Sequence, residues 1–221
     1  MCALQLSKDA VGIKEWEERL DIHTVNQEAF HLPSRLIAKI YLFRLIYGGT
    51  AYAYSKDPDF ADVKGDVDFW QKVIDKTYGK YKGLKAWHDK IFLEAISNGC
   101  LEMPTGRKYF FKKTEKDEWP RTQILNYPVQ GLGADLMMLA RVDLFKRLQF
   151  EQIGLIKFRG TVHDSIIIDA HPSCVETVQK AVQQTWRALP RLYEHFYGEP
   201  FVLECRYELK VGNNLTDMEV V

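Results

Sequence analysis

Arg35, Lys39, Phe43 and Tyr47 stand four residues apart in the stretch RLIAKIYLFRLIYGG, residues 35–49. Four residues advance an α-helix by slightly more than one turn, so on a helix these side chains form one slowly drifting stripe. Two cations precede two aromatic rings. Cations pair phosphate oxygens, and an aromatic face one turn on stacks against a base. A nucleoside triphosphate presents those chemistries in that order, so the stripe is a candidate cradle for one. Taken singly, each residue reads as the solvated edge or the core of a buried helix; the combination carries the idea.

A second candidate lies in TVHDSIIID, residues 161–169. Asp164 follows His163 between two runs of strand formers, which predicts an exposed carboxylate at or near a hairpin tip, presented to a hard cation such as Mg²⁺. A bare turn aspartate is the common alternative. A two-metal centre, with ions roughly 3.5–4 Å apart, needs at least two carboxylates. Asp169 is spaced to fall on the opposite strand face from Asp164 and is not given the second role. Two basic-aromatic segments, YGKYKGLKAWHDK (78–90) and TGRKYFFKKTEK (105–116), suit a phosphate backbone.

The elements that must position these residues follow from local signals. TVNQ (24–27) has the form of a capping box and predicts a short helix ending at Pro33. The striped helix then runs from about Ser34 to Tyr47 and stops at Gly48-Gly49. Residues 66–98 read as two amphipathic helices broken near YGKYKG. CLEMPTGRKYFF (100–111) reads as a hairpin around Pro-Thr-Gly. PVQGLGADLMMLARVDLFKRL (128–148) predicts a long helix with proline near its start. Residues 155–170 read as two β-rich runs, SCVE (173–176) as a capping box opening a helix to about Leu189 or beyond, and PFVLECRYELKVG (200–212) as a closing strand. A helical first half thus precedes an α+β second half.

Composition sets the frame. The chain has 221 residues, 46% hydrophobic and 27% charged, with 30 basic and 30 acidic side chains and no formal net charge. That is enough for one large domain or two small ones, with no global field to attract nucleic acid, so a polyanion site must be local. Cys2, Cys100, Cys174 and Cys205 lack CxxC spacing, which points to neither a zinc site nor a disulfide framework and fits a reduced, cytoplasmic setting. The first residues do not resemble a signal peptide, and no apolar run is long enough to span a membrane.

These stretches, in this order, resemble the C-terminal half of a family A (Pol I type) DNA polymerase, especially the phage-like branch. RLIAKIYLFRLIYGG is similar to the fingers motif R-x3-K-x3-F-x3-Y-G at all five positions, and TVHDSIIID to the palm's motif C. NYPVQGLGADLM (126–137) is similar to the segment between them, DIHT (21–24) to the element upstream, and YELKVGNN (207–214) to the last palm strand. YKGLKAW and MPTGRKY fall where the family has them. The resemblance implies an α+β fold: helical fingers over 1–120, then a palm over 121–221 with a small antiparallel sheet, incomplete without a partner strand.

Carried over by position, the resemblance implies that Arg35 and Lys39 bind the triphosphate with His23 nearby, while Phe43 stacks against the incoming nucleotide. Tyr47 would stand at the templating position, and Gly48 beside it would contact DNA. Asn126 and Gln130 would touch the primer-template, His163 would sit by the primer terminus, and Asp164 would bind the catalytic metals, with Lys39, His163 and Asp164 as the catalytic set. The implied reaction is in-line attack of a primer 3′-hydroxyl on a dNTP, assisted by two Mg²⁺ ions. Two departures stand out. Ser165 occupies a position that is commonly glutamate, and motif A, with the second aspartate and the glutamate that excludes ribonucleotides, would precede ALQLSKD.

The expectation is therefore one subunit of a split polymerase whose Mg²⁺ site is completed by a carboxylate outside these residues. A second polypeptide would carry motif A and the thumb, with or without an exonuclease domain; primer-template DNA and dNTPs would be the other partners. There would be no membrane partner, and the setting would be the host cytoplasm if the source is viral. The alternatives are a non-catalytic primer-template or nucleotide-binding module, a truncated remnant, and a fragment of a phage-type single-subunit RNA polymerase, which shares Lys-x7-Tyr-Gly and His-Asp-Ser. Phe43 and NYPVQGLGAD favour the DNA enzyme.

Overall fold

Side-chain oxygens open the helices around the stripe. In the computed structural model, which describes residues 1–149 and 154–221, Cys2–Ser7 forms α1, Ala10–Glu17 α2, Ile22–Phe30 α3 and Arg35–Ile46 α4. Asp9 accepts from Gly12 N–H at 2.9 Å, Asp21 from His23 N–H at 3.2 Å and Ser34 from Ile37 N–H at 3.2 Å, each satisfying a donor that the first helical turn leaves without a partner. Then come α5 (Ala51–Lys56), a 3₁₀ segment (Pro58–Val63), α6 (Val67–Lys80) and α7 (Lys82–Asn98). A hairpin of β1 (Cys100–Glu102) and β2 (Lys108–Phe110) precedes the long α8 (Arg121–Leu148). The chain divides into two units, residues 1–132 and 133–221, at a point inside α8.

The first unit is built on aromatic packing. Trp70, fully buried, stacks on Tyr41 at 5.7 Å and meets Phe60 edge-on at 4.8 Å and Tyr54 at 5.2 Å. Offset and edge-on pairs of this kind add to the burial of the rings. Tyr41 belongs to α4, whose inward face is Ala38, Tyr41, Leu42 and Leu45. That i, i+3, i+4, i+7 set is a helix with one buried side, so residues 35, 39 and 43 are turned outward.

His88 of α7 is also fully buried, with the Tyr78 hydroxyl 3.0 Å from Nδ1. Burial first, and the Arg121 charge second, lower its pKa from 6.5 to about 4. The unfolded chain therefore binds this proton more tightly than the folded one. Stability due to neutral His88 is complete above about pH 6.5 and is lost as pH falls toward 4, a loss of about 3 kcal/mol. Urea unfolding at pH 7 and pH 4 should show it, and His88→Gln should remove that part of the pH dependence.

The second unit joins the rest of α8 to a hairpin of β3 (Ile156–Val162) and β4 (Ser165–Ala170), a 3₁₀ turn (Pro172–Cys174), α9 (Val175–Tyr197), and the short pair β5 (Lys210–Val211) and β6 (Glu219–Val220). Leu144 and Leu148 of α8 pack with Val178, Ala181 and Val182 of α9, and Phe158, Ile166 and Ile168 of the hairpin cover them. The fold is α+β, mostly helical with small antiparallel sheets. No helix among the described residues is long and apolar enough to cross a membrane, and none of the four cysteines is in a disulfide among the described residues.

Four local expectations need correction. Thr24 lies inside α3, where its hydroxyl donates to Asp21 at 2.8 Å; the carboxylate three residues earlier takes the cap, being the stronger acceptor. Ser173 falls in the 3₁₀ turn and pairs with His171 Nδ1 at 2.9 Å, so α9 starts without a side-chain cap. Helix α8 begins at Arg121, seven residues before Pro128. A proline inside a helix removes one hydrogen bond, and the fully buried Ile124 and Leu125 hold the turns ahead of it. Residues 200–212 contribute only the two-residue β5. Phe201, Leu203 and Cys205 are buried alternately, but alternation requires only extended backbone, whereas a strand requires a ladder.

Candidate functional site

The outward face of α4 carries Arg35, Lys39 and Phe43, with Phe43 43% exposed although large and apolar. Lys39 has no ion-pair partner among the described residues. Arg35 is held by Asp21, which accepts from Nε at 2.5 Å and from Nη2 at 3.2 Å. The Arg35 hydrogen bond, and after it that of Thr24, keep the Asp21 carboxyl well below the usual carboxylate range. His23, the second residue of α3, lies with its ring 5.8 Å from Phe43, and its Nδ1 is buried with no hydrogen-bond partner. Burial lowers the His23 pKa, with Asp21 opposing and Arg35 and Lys39 adding to the effect, so the ring favours its neutral form. The structure thus brings four of the predicted nucleotide-binding residues, His23, Arg35, Lys39 and Phe43, onto two adjoining helices. It also adds Asp21, which sequence reasoning left without a role although an aspartate just ahead of a helix is a recognisable cap signal.

Tyr47 closes α4. Its hydroxyl accepts a hydrogen bond from Gln130 Nε2 at 2.8 Å, joining residues 83 apart in sequence. Gly48 has φ +85°, and a Cβ there would lie 3.0 Å from Leu125 Cδ1, so both its backbone and its closeness to α8 call for glycine. Asn126 sits one turn before Gln130 on α8, with Oδ1 buried and without a partner. Tyr47, Gly48, Asn126 and Gln130, all predicted to touch DNA, therefore gather where the end of α4 meets the start of α8.

In the second unit, His163 and Asp164 form the two-residue tip between Val162 and Ser165. Both are exposed, and His163 takes a positive φ of 52°. Asp164 makes no hydrogen bond or ion pair among the described residues. Its exposed, unengaged carboxylate is a hard oxygen donor of the kind Mg²⁺ takes. Asp169 is engaged elsewhere: Arg159 Nη2 donates to it at 2.6 Å and lowers its pKa. Ser165 donates its hydroxyl to Val162 O at 2.8 Å and serves the turn. Among the described residues no group of three or more His, Cys, Asp or Glu side chains could hold a metal ion.

Comparison with known proteins adds an independent line. The family model described as DNA polymerase family A matches residues 2–215. The thermostable DNA polymerase I of Thermus aquaticus is 29% identical over 192 residues, covering 81% of this chain and 22% of the relative. A thermostable DNA polymerase I of Thermus thermophilus is 30% identical over 224 residues, covering 95% and 25%. DNA polymerase I of Aquifex aeolicus is 25% identical, covering 86% and 34%. The chain thus spans about a fifth to a third of the length of these relatives. The POL domain of Pol1 from M. smegmatis, solved in complex with DNA primer-template and dNTP, superposes with a TM-score of 0.74 over 87% of this chain and 35% of that one. At 18% identity, that likeness is one of fold.

Proposed function

The chain belongs to DNA polymerase family A, and from that premise we propose that it carries fingers (1–120) and palm (121–221) machinery for template-directed DNA synthesis. The reaction is transfer of a dNMP from a dNTP to a primer 3′-hydroxyl, with pyrophosphate leaving. Lys39 and Arg35 bind the triphosphate beside His23, and Phe43 stacks on the incoming nucleotide. Tyr47 stands at the templating base, Gly48, Asn126 and Gln130 touch the primer-template, and His163 lies at the primer end. Asp164 would hold Mg²⁺, which when bound neutralises charge developing on the phosphates.

The observation that carries this reading is the outward stripe of α4, cationic and then aromatic, ending at a tyrosine bonded to Gln130. An isolated lysine at the surface is ordinary, but a half-exposed phenylalanine one turn from it, beside a neutral histidine, is suited to a base and its phosphates. The ion pair between Asp169 and Arg159 supports a further part of the proposal. The second metal carboxylate comes from outside residues 1–221, in a segment carrying motif A.

Primer extension tests the proposal. The 221-residue chain is mixed with a primer-template, Mg²⁺ and four dNTPs, alone and with a polypeptide carrying motif A. Extension that requires the added polypeptide supports it. Tight primer-template binding without extension in either mixture would leave a binding module and overturn the enzyme reading. Preference for rNTPs would point to RNA synthesis instead.

Phe43 allows a sharper check. Tyrosine at this family position relaxes discrimination against 2′,3′-dideoxynucleotides, so Phe43→Tyr is expected to raise ddNTP termination in the active assembly, on the order of tenfold or more. Unchanged termination would mean that Phe43 does not face the sugar.

A further inference from the structure

Helix α8 turns two different faces to its surroundings in the second unit. Leu144 and Leu148 point into the core, 1% and 3% exposed. On another side, Arg141, Phe145 and Lys146 line a cavity of about 570 Å³ whose opposite wall is β3, with Phe158, Gly160 and Thr161. That volume is within the range of small-ligand sites. None of these residues belongs to the α4 stripe or to the His163–Asp164 tip.

The lining is unusual for a plain solvated helix face. Phe145 is 51% exposed, yet its ring is held edge-on to Phe158, with centroids 5.5 Å apart at 66°. Arg141 lies one turn before it and Lys146 directly after it, and neither has an ion-pair partner among the described residues. The third cation on the wall, Arg159, is committed to Asp169 at 2.6 Å. No described carboxylate lines the cavity. The register shift between Phe158 and Gly160 makes Arg159 a bulge residue, and bulges re-aim neighbouring side chains. Thr161 pairs with Ile166, which packs on the helix side, so Thr161 stands on the cavity face of β3, whereas Gly160 pairs with Ile167 and offers the cavity only its backbone.

We propose that this cavity binds single-stranded nucleic acid, with one base on Phe145 and the flanking phosphates on Arg141 and Lys146. A fixed aromatic face between two free cations matches the repeating phosphate–base pattern of a strand, and stacking needs no particular sequence. An acidic peptide would satisfy the cations but would leave the exposed ring without a flat partner. The site is independent of the polymerase reading, though the strand forming its wall leads within a few residues to Asp164.

Fluorescence anisotropy of labelled (dT)8 with the intact 221-residue chain provides the test. Phe145→Ala and Thr161→Glu, the second placing a carboxylate on the cavity wall, should each weaken binding at least about tenfold by removing the stacking surface or repelling the strand. The double variant Arg141→Gln/Lys146→Gln should reduce the slope of log affinity against log salt by about 1.4, two single-strand phosphate contacts. Thermal midpoints identify any variant that has lost its fold; if Phe145→Ala has, the Thr161 and double-charge variants decide. Undiminished binding in those two overturns the proposal. So does loss on Lys39→Gln with none on Thr161→Glu, which would put the strand on α4. Displacement of (dT)8 by dTMP at equal concentration would make it a mononucleotide site, and equal displacement by polyglutamate an acidic-polymer site; either result overturns the strand assignment.

Discussion

Asp164→Asn should lower nucleotide incorporation by a polymerase assembly containing this chain by about a thousand-fold, with almost no change in stability. The substitution keeps the shape of the side chain and removes its charge. A cation at that carboxylate would be asked to supply several kcal/mol of charge stabilisation in the transition state, and about 4 kcal/mol corresponds to three orders of magnitude in rate. The fold should not notice: Asp164 is exposed at a turn, has no partner among the described residues, and asparagine is at home in turns. Surface changes of that kind shift stability by less than about 0.5 kcal/mol. Single-turnover incorporation and urea unfolding, measured on the same protein, separate the two effects. Retained incorporation would remove Asp164 from the metal site.

Trp70→Ala should destabilise the first unit by about 4 kcal/mol, within the usual range for truncating a buried large aromatic side chain. Trp70 is wholly inaccessible and touches Tyr41, Tyr54, Phe60 and Phe69. Against a total stability of about 5–15 kcal/mol this is a large fraction. Trp70→Phe should cost much less, because the indole Nε1 is buried without an acceptor and its removal relieves one desolvated donor. The comparison also bears on function. Tyr41, stacked on Trp70, sits on the face of α4 opposite the stripe, so loosening it should weaken dNTP binding without altering any residue proposed to touch the nucleotide. Urea unfolding of both variants, followed by nucleotide titration of whichever remains folded, reads the two consequences.

Much of this was legible in the sequence, and the reason is local. The four-residue spacing of Arg35, Lys39, Phe43 and Tyr47 lies within four turns of one helix, so helical geometry alone aligns it, with Ser34 and the glycine pair marking the ends. The two-residue tip at His163 and Asp164 likewise follows from strand formers on both sides of it. Where local signals competed, they misled. Thr24 and Ser173 each matched a capping pattern, but a neighbouring aspartate took the first cap and a prolyl 3₁₀ turn displaced the second.

Only the tertiary structure decided which face of α4 meets solvent, because the helix is apolar nearly all round and the Trp70 cluster, not its own pattern, selects the buried side. It also decided that Arg35 is tied to Asp21, that Gln130 reaches Tyr47 across 83 residues, that Asp169 is engaged by Arg159, and that a cavity opens between α8 and β3. The physical reason is one of range. Periodicity and capping act within a turn or two of chain. Pairings between distant residues depend on which surfaces pack together once loops have closed, and no single window of sequence contains that information.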